Sequence, residues 1–181
     1  DLVLTLDHVI QQIAERELLA QVQAQKAESG IAIVLDPKLG DVLAIAHVPS
    51  FDPNRLRQSS ADQRRERAFT DPFEPGSTLK PFIVASCLDQ GTCRAEELID
   101  CEMGAYHLGG RTIEDHTPHG LLTLAEVLKY SSNIGMTKLA TRLGKDRLYE
   151  GLRAFHFGMK LTSFQQESPG RFRPPTKWSG T

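Results

Sequence analysis

Apolar and polar positions change period several times along the chain. Over residues 6–29, Ile10, Ile13, Leu18 and Val22 recur at helical spacing among Gln, Glu, Arg and Lys, which predicts one long amphipathic helix. Asp7 is placed to cap its start and Gly30 to stop it. Residues 31–35 and 42–48 are almost continuously apolar and rich in β-branched side chains. The intervening Asp36-Pro37-Lys38-Leu39-Gly40 has turn chemistry, so the unit reads as a β-hairpin. Strands this apolar imply cover on both faces, the preceding helix being one candidate cover. Residues 49–71 are polar and irregular and read as a solvated loop. Residues 82–88 are apolar and read as a buried helix entered through the Pro75-Gly76 turn. After a stretch rich in Gly, His and acidic residues (91–120), a helix is predicted over 121–130, with Thr123 and Glu126 spaced as a capping box. Another follows from about 134 to 143, stopped by Gly144, and a short one spans 150–155. Nothing after Leu161 reads as a strand long enough to finish a sheet.

Composition narrows the class without naming a function. With 181 residues, 40% hydrophobic and 24% charged, the chain is an ordinary globular one, sized for one domain or part of a larger one. A net charge of −2 offers no electrostatic reason to invoke nucleic acid or a membrane surface. The one arginine-rich stretch, with Arg55, Arg57, Arg64, Arg65 and Arg67, has only Phe51 and Phe69 flanking it to stack bases. No run approaches the ~18 apolar residues of a membrane span, and no signal peptide opens the chain. Cys87, Cys93 and Cys101 form no C-x-x-C motif and no zinc spacing. Cys93 and Cys101 are near enough in sequence to close a short disulfide loop in an oxidising compartment.

Candidate chemistry concentrates at Pro75-Gly76-Ser77-Thr78-Leu79-Lys80-Pro81. Ser77 and Lys80, three residues apart, share one face of a helix. A serine at a helix start meets free N–H groups and the positive dipole end, which favour developing negative charge. A hydroxyl is a weak nucleophile until a base takes its proton, and Lys80 can serve only if burial or nearby charge lowers its pKa. Pro81 fits only in or next to the first helical turn. The second constellation is Ser131-x-Asn133 between two helices, where a hydroxyl and an amide can enter one cleft, one relaying a proton and one binding a substrate amide. Junction capping accounts for the same pair of residue types. The run Asp115-His116-Thr117-Pro118-His119 holds metal-ligating side chains, but no Cys or Glu completes a set at helical spacing.

The two motifs, Ser77-x-x-Lys80 and Ser131-Ser132-Asn133, resemble the first two motifs of the penicillin-binding transpeptidases. The likeness extends to Leu4-Thr5-Leu6-Asp7, Leu35-Asp36-Pro37 with Gly40, Ala44 and Pro49, and Asp52-Pro53-Asn54, which look like the start of a class B transpeptidase domain. Residues 115–124, with His116 and Gly120, are similar to the septal, cell-division branch. The resemblance implies an α+β fold of the β-lactamase/transpeptidase kind: an antiparallel sheet packed with helices, plus a helical subdomain. It places a helix and sheet hairpin in residues 1–50 and a mainly helical, motif-bearing part in 72–160. It implies Ser77 as acylated nucleophile, Lys80 as base, Ser131 as proton relay and Asn133 as substrate-binding residue. Implied partners are peptidoglycan stem peptides, β-lactams and other cell-division proteins. Neither metal nor organic cofactor is implied, and the membrane enters only through an anchor outside this chain, on the periplasmic or extracellular face.

Two departures stand out. Glu66 replaces the usual Asn before Arg67-Ala68, and no Lys-Thr-Gly or Lys-Ser-Gly occurs; Ser179-Gly180-Thr181 follows Trp178 where the cation would stand. The resemblance therefore implies the N-terminal portion of a transpeptidase domain, itself poorly active. Rival readings are a serine β-lactamase or β-lactam sensor, which share the acylation step, and a non-catalytic scaffold in which the third motif is naturally missing.

Overall fold

The computed structural model describes residues 3–162 and 164–178, so Ser179-Gly180-Thr181 lies outside the described residues. The chain divides into two compact units, Asp1–Pro72 with Thr162–Ser168, and Phe73–Leu161 with Pro169–Thr181. Helices and short antiparallel strands mix in an α+β arrangement. No helix among the described residues is long and apolar enough to cross a membrane.

In the first unit, α1 (His8–Gln25) starts at Asp7, whose carboxylate accepts the Val9 and Ile10 N–H groups at 2.8 and 3.0 Å. These bonds hold the Asp7 carboxyl below its usual range. The helix stops earlier than Gly30, at Lys26, which takes a left-handed φ of 52° and donates its N–H to Gln23. Gly30 instead begins β1 (Gly30–Leu35), and a Cβ there would lie 2.6 Å from the Val22 side chain. The missing side chain is what lets the strand start flush against the helix. β1 pairs antiparallel with β2 (Val42–Val48), and Gln11 of α1 clasps the Ile45 backbone through both its amide atoms, at 2.7 and 2.8 Å. Ala44 and Ala46 are buried on the side of Gly30, while Ile33 and Leu35 remain 50% and 54% exposed. Among the described residues α1 covers the Gly30 face, and the other face is covered only in part, where His47, its side chain 8% exposed, lies against Glu66 at 3.7 Å and the Gln63 carbonyl at 3.4 Å.

The stretch read as a solvated loop is partly ordered and partly buried. A 3-10 turn spans Pro53–Gln58, and α2 (Arg67–Thr70) carries an arginine that is only 7% exposed. The planar Arg67 guanidinium bridges Asp62 at 2.7 Å and Asp71 at 3.2 Å, and that local neutralisation lets the cation be buried.

The second unit packs α3 (Lys80–Asp89), α4 (Leu124–Lys129), α5 (Asn133–Leu143) and α6 (Lys145–Ala154) around Val84, Cys87, Val127, Ile134, Leu139 and Leu143. Two small ladders accompany them, β3 (Leu98–Asp100) with β6 (Leu121–Thr123) and β4 (Ala105–Leu108) with β5 (Arg111–Glu114). Strands of three or four residues are too short to leave a period in the sequence. Because residues 121–123 pair with β3, α4 begins at Leu124 rather than at 121. Its capping box is present: Thr123 N–H donates to Glu126 at 2.8 Å, and Glu126 N–H to the Thr123 hydroxyl at 3.3 Å. Thr123→Ala should lower stability by about 1 kcal/mol, read as a shifted urea midpoint at unchanged slope. An unmoved midpoint would mean the cap contributes nothing.

α6 starts at Lys145 rather than at 150, just after Gly144, which turns the chain at φ 82°. All three cysteines are free and buried. The Cys93–Cys101 loop is not closed: the Cys101 sulfur lies 3.3 Å from the Ser132 hydroxyl, and its thiol donates toward the Ile99 carbonyl at 3.7 Å.

Candidate active site

Gly76, at φ 56°, turns the chain into a 3-10 segment, Gly76–Leu79, that runs on into α3. Pro81 falls in the first turn of α3, where the N–H it lacks has no helical acceptor anyway. This entry leaves Ser77 exposed and draws Lys80, one turn later, into the interior with 9% of its surface accessible.

The facing junction is the end of α4. Ser131 N–H bonds to the Leu128 carbonyl at 3.1 Å and Ser132 N–H to the Val127 carbonyl at 3.0 Å, the paired closure of a Schellman motif. The left-handed position of that motif is usually glycine, yet here it is Ser131, at φ 55°. A non-glycine residue there costs roughly 1–2 kcal/mol. Strain of this kind is kept where the side chain is needed. Ser132 then caps α5, its hydroxyl accepting the Gly135 N–H at 2.9 Å. Gly135 is required for that close approach, since a Cβ would lie 2.7 Å from Val127.

These two constructions bring Ser77, Lys80, Ser131 and Asn133 within hydrogen-bond reach. The Lys80 ammonium donates to the Ser131 carbonyl at 2.5 Å, the Ser131 hydroxyl at 2.9 Å and the Asn133 side-chain carbonyl at 2.7 Å. The Ser131 hydroxyl donates to the Ser77 hydroxyl at 3.1 Å. The path from lysine to Ser77 therefore runs through Ser131, whereas the sequence pairs Lys80 with Ser77 as neighbours. Burial pushes the Lys80 pKa down from the ordinary 10.5, and the Asp115 carboxylate opposes that shift. A lysine so placed can give up a proton near neutral pH more readily than a solvated one, and a proton can pass along Ser77, Ser131 and Lys80.

In the sequence Asp115 stands out as one member of a metal-ligating run and as the first residue of the stretch similar to the septal branch. Its carboxylate instead receives the Ser132 hydroxyl and two backbone N–H groups at the start of α5. His119, from the same run, stacks on Tyr130 with centroids 4.6 Å apart. The acidic residue three before a Ser-x-Asn junction would have been a capping signal, but Asp115 is 17 residues from Ser132 and leaves no local pattern.

The whole chain has counterparts among known proteins. Residues 30–181 match the penicillin binding protein transpeptidase domain. The chain is 35% identical over 179 residues to the probable peptidoglycan D,D-transpeptidase PenA of Neisseria gonorrhoeae, covering 98% of this chain and 30% of that protein. It is 36% identical over 181 residues to the peptidoglycan D,D-transpeptidase FtsI of Escherichia coli, covering 99% of this chain and 30% of the other. Among solved structures, the TP domain of penicillin-binding protein 3 from Burkholderia pseudomallei superposes with a TM-score of 0.84 at 32% identity, over 97% of this chain and 49% of that one. A crystal structure described as a peptidoglycan glycosyltransferase from Burkholderia ambifaria gives 0.85 at 34% identity, over 98% and 52%. The chain thus spans about 30% of the length of the curated relatives it matches. On the extent of these matches, the chain belongs to the penicillin-binding protein transpeptidase domain family.

Proposed function

We propose that this chain carries the acylation machinery of a peptidoglycan D,D-transpeptidase, with Ser77 as the nucleophile. The observation that carries this reading is the connected path from buried Lys80 through Ser131 to the exposed Ser77 hydroxyl. Ser77 Oγ attacks the penultimate D-alanine carbonyl of a stem peptide, and its proton moves through Ser131 to neutral Lys80. The peptide bond breaks, the terminal D-alanine leaves with a proton returned by the same path, and an amine of a neighbouring stem then displaces Ser77. Asn133, whose side-chain carbonyl faces Lys80, holds the substrate peptide. β-Lactams enter the same step, their ring carbonyl taking the place of the scissile one. The septal role, partners among other cell-division proteins and an extracytoplasmic location on the bacterial membrane belong to the same proposal, supported by relatives that act on peptidoglycan.

The test is covalent capture. At its full natural length, the protein incubated with benzylpenicillin should gain one equivalent by intact mass, and peptide mapping should place it on Ser77. An adduct on any other residue, or none, would sink the assignment.

A further inference from the structure

Asp115 follows β5 and reaches the α4–α5 junction from outside it. One carboxylate oxygen accepts the Ser132 hydroxyl at 2.5 Å, and the other accepts the backbone N–H groups of Asn133 at 2.5 Å and Ile134 at 3.1 Å. Charge-assisted bonds to N–H groups at a helix start are short and strong, and a negative charge there also suits the dipole of α5. The preceding carbonyl, on Glu114, accepts the Asn133 side-chain amide at 2.9 Å, which turns the other end of that amide toward Lys80. Ser132, Asn133 and Ile134, the three residues that follow Ser131, are thus fixed by one strand end.

That strand end is itself anchored. Asp115 N–H donates to the Gly104 carbonyl at 3.1 Å. Gly104, at φ 94°, lies so close to the loop after Asp115 that a Cβ would meet the Pro118 Cα at 3.0 Å. Ser131 by contrast sits in a backbone conformation that serine disfavours, and its own contacts with α4 are those of a glycine position. Something must hold it there.

We propose that Asp115 is a positioning residue for acylation of Ser77: by gripping Ser132, Asn133 and Ile134 it keeps Ser131 in the left-handed conformation that sets its hydroxyl between Lys80 and Ser77. The proposal rests on the acylation reading above. It also carries an electrostatic consequence. The titratable groups around Asp115 are Lys80 from α3, Cys101 beside Ser132, Lys138 from α5 acting on Cys101, and Glu114 and His116 on its own segment. Of these, Lys80 is the one the reaction needs, and Asp115 raises its pKa against the effect of burial. Since neutral Lys80 is the reactive form, acylation rises with pH through the Lys80 pKa. Removing the Asp115 charge lowers that pKa, so the acid limb moves to lower pH even as positioning is lost.

The experiment compares wild type, Asp115→Asn and Asp115→Ala in the full-length protein, timing acylation by a fluorescent penicillin from acid to alkaline pH and titrating the reactive fraction. Both variants should keep close to one reactive equivalent. The limiting rate should fall on the order of 10²-fold for Asp115→Ala, the scale of displaced reacting groups, and less for the near-isosteric Asp115→Asn. The acid limb should shift to lower pH in both. Wild-type rates and an unmoved limb, or a loss confined to the reactive fraction, would overturn the proposal and leave Asp115 as a helix cap. Where alanine fails to fold, the asparagine variant decides alone. Wild-type protein that takes no penicillin on Ser77 would instead overturn the acylation reading itself.

Discussion

Lys80→Arg is expected to slow acylation of Ser77 by about 10²–10⁴-fold, the loss that accompanies removal of a positioned general base. Arginine keeps the positive charge and can still donate to the Ser131 and Asn133 oxygens that ring the lysine. It cannot become neutral, because its pKa lies above ~12. The substitution therefore separates charge from proton acceptance at one position. Wild type should accelerate with rising pH, with a midpoint below the ordinary lysine value of 10.5 because burial favours the uncharged amine. The arginine variant should lose that limb, and Ser77→Ala should take no covalent penicillin at any pH. Stopped-flow acylation across pH reads all three. A rate for Lys80→Arg within a few fold of wild type would make Lys80 a structural cation and send the search for the base elsewhere.

What could be read from the sequence follows the range of the interactions involved. Asp7, the Thr123/Glu126 box and Gly144 mark helix ends through contacts within four residues, and each marks an end in the structure. Ser77 and Lys80 are legible for the same reason, since Pro75-Gly76 and Pro81 leave a helix start as the local solution. The readings that moved depend on distant partners. Gly30 looked like a helix stop, but it is shaped by Leu18 and Val22 packing across the strand start. Arg67 differs: its partners are local, Asp71 four residues on and Asp62 five before, and what the sequence hides is that the side chain they neutralise is buried. Ser131 and Asn133 satisfied a capping explanation, and only the fold shows Lys80 reaching them from more than 50 residues away. Asp115 is the extreme case, with every informative contact made across the chain.

Leu139→Ala should cost about 2–5 kcal/mol of stability, the range for emptying a well-packed core position. Leu139 is 1% exposed and belongs to the buried cluster with Val84 and Cys87 of α3, Val127 of α4 and Ile134 and Leu143 of α5. Its backbone carbonyl also receives the Cys87 thiol at 3.7 Å. The same interface joins the two helices that carry the chemistry, α3 through Lys80 and α5 through Asn133. Relaxation into the cavity is limited because Gly135 already brings α5 against Val127 without a side chain between them. Urea unfolding should therefore show an earlier midpoint with a similar slope. Molecules that remain folded should acylate within a few fold of wild type, because Leu139 lies more than a helical turn beyond Asn133 and touches none of the reacting groups' hydrogen bonds. A loss below about 1 kcal/mol would show that this core collapses around the gap, contrary to the tight α3–α5 contact. A rate loss per folded molecule as large as that of Lys80→Arg would show instead that the packing of α5 sets the geometry of Ser131 and Asn133 more strongly than Asp115 does.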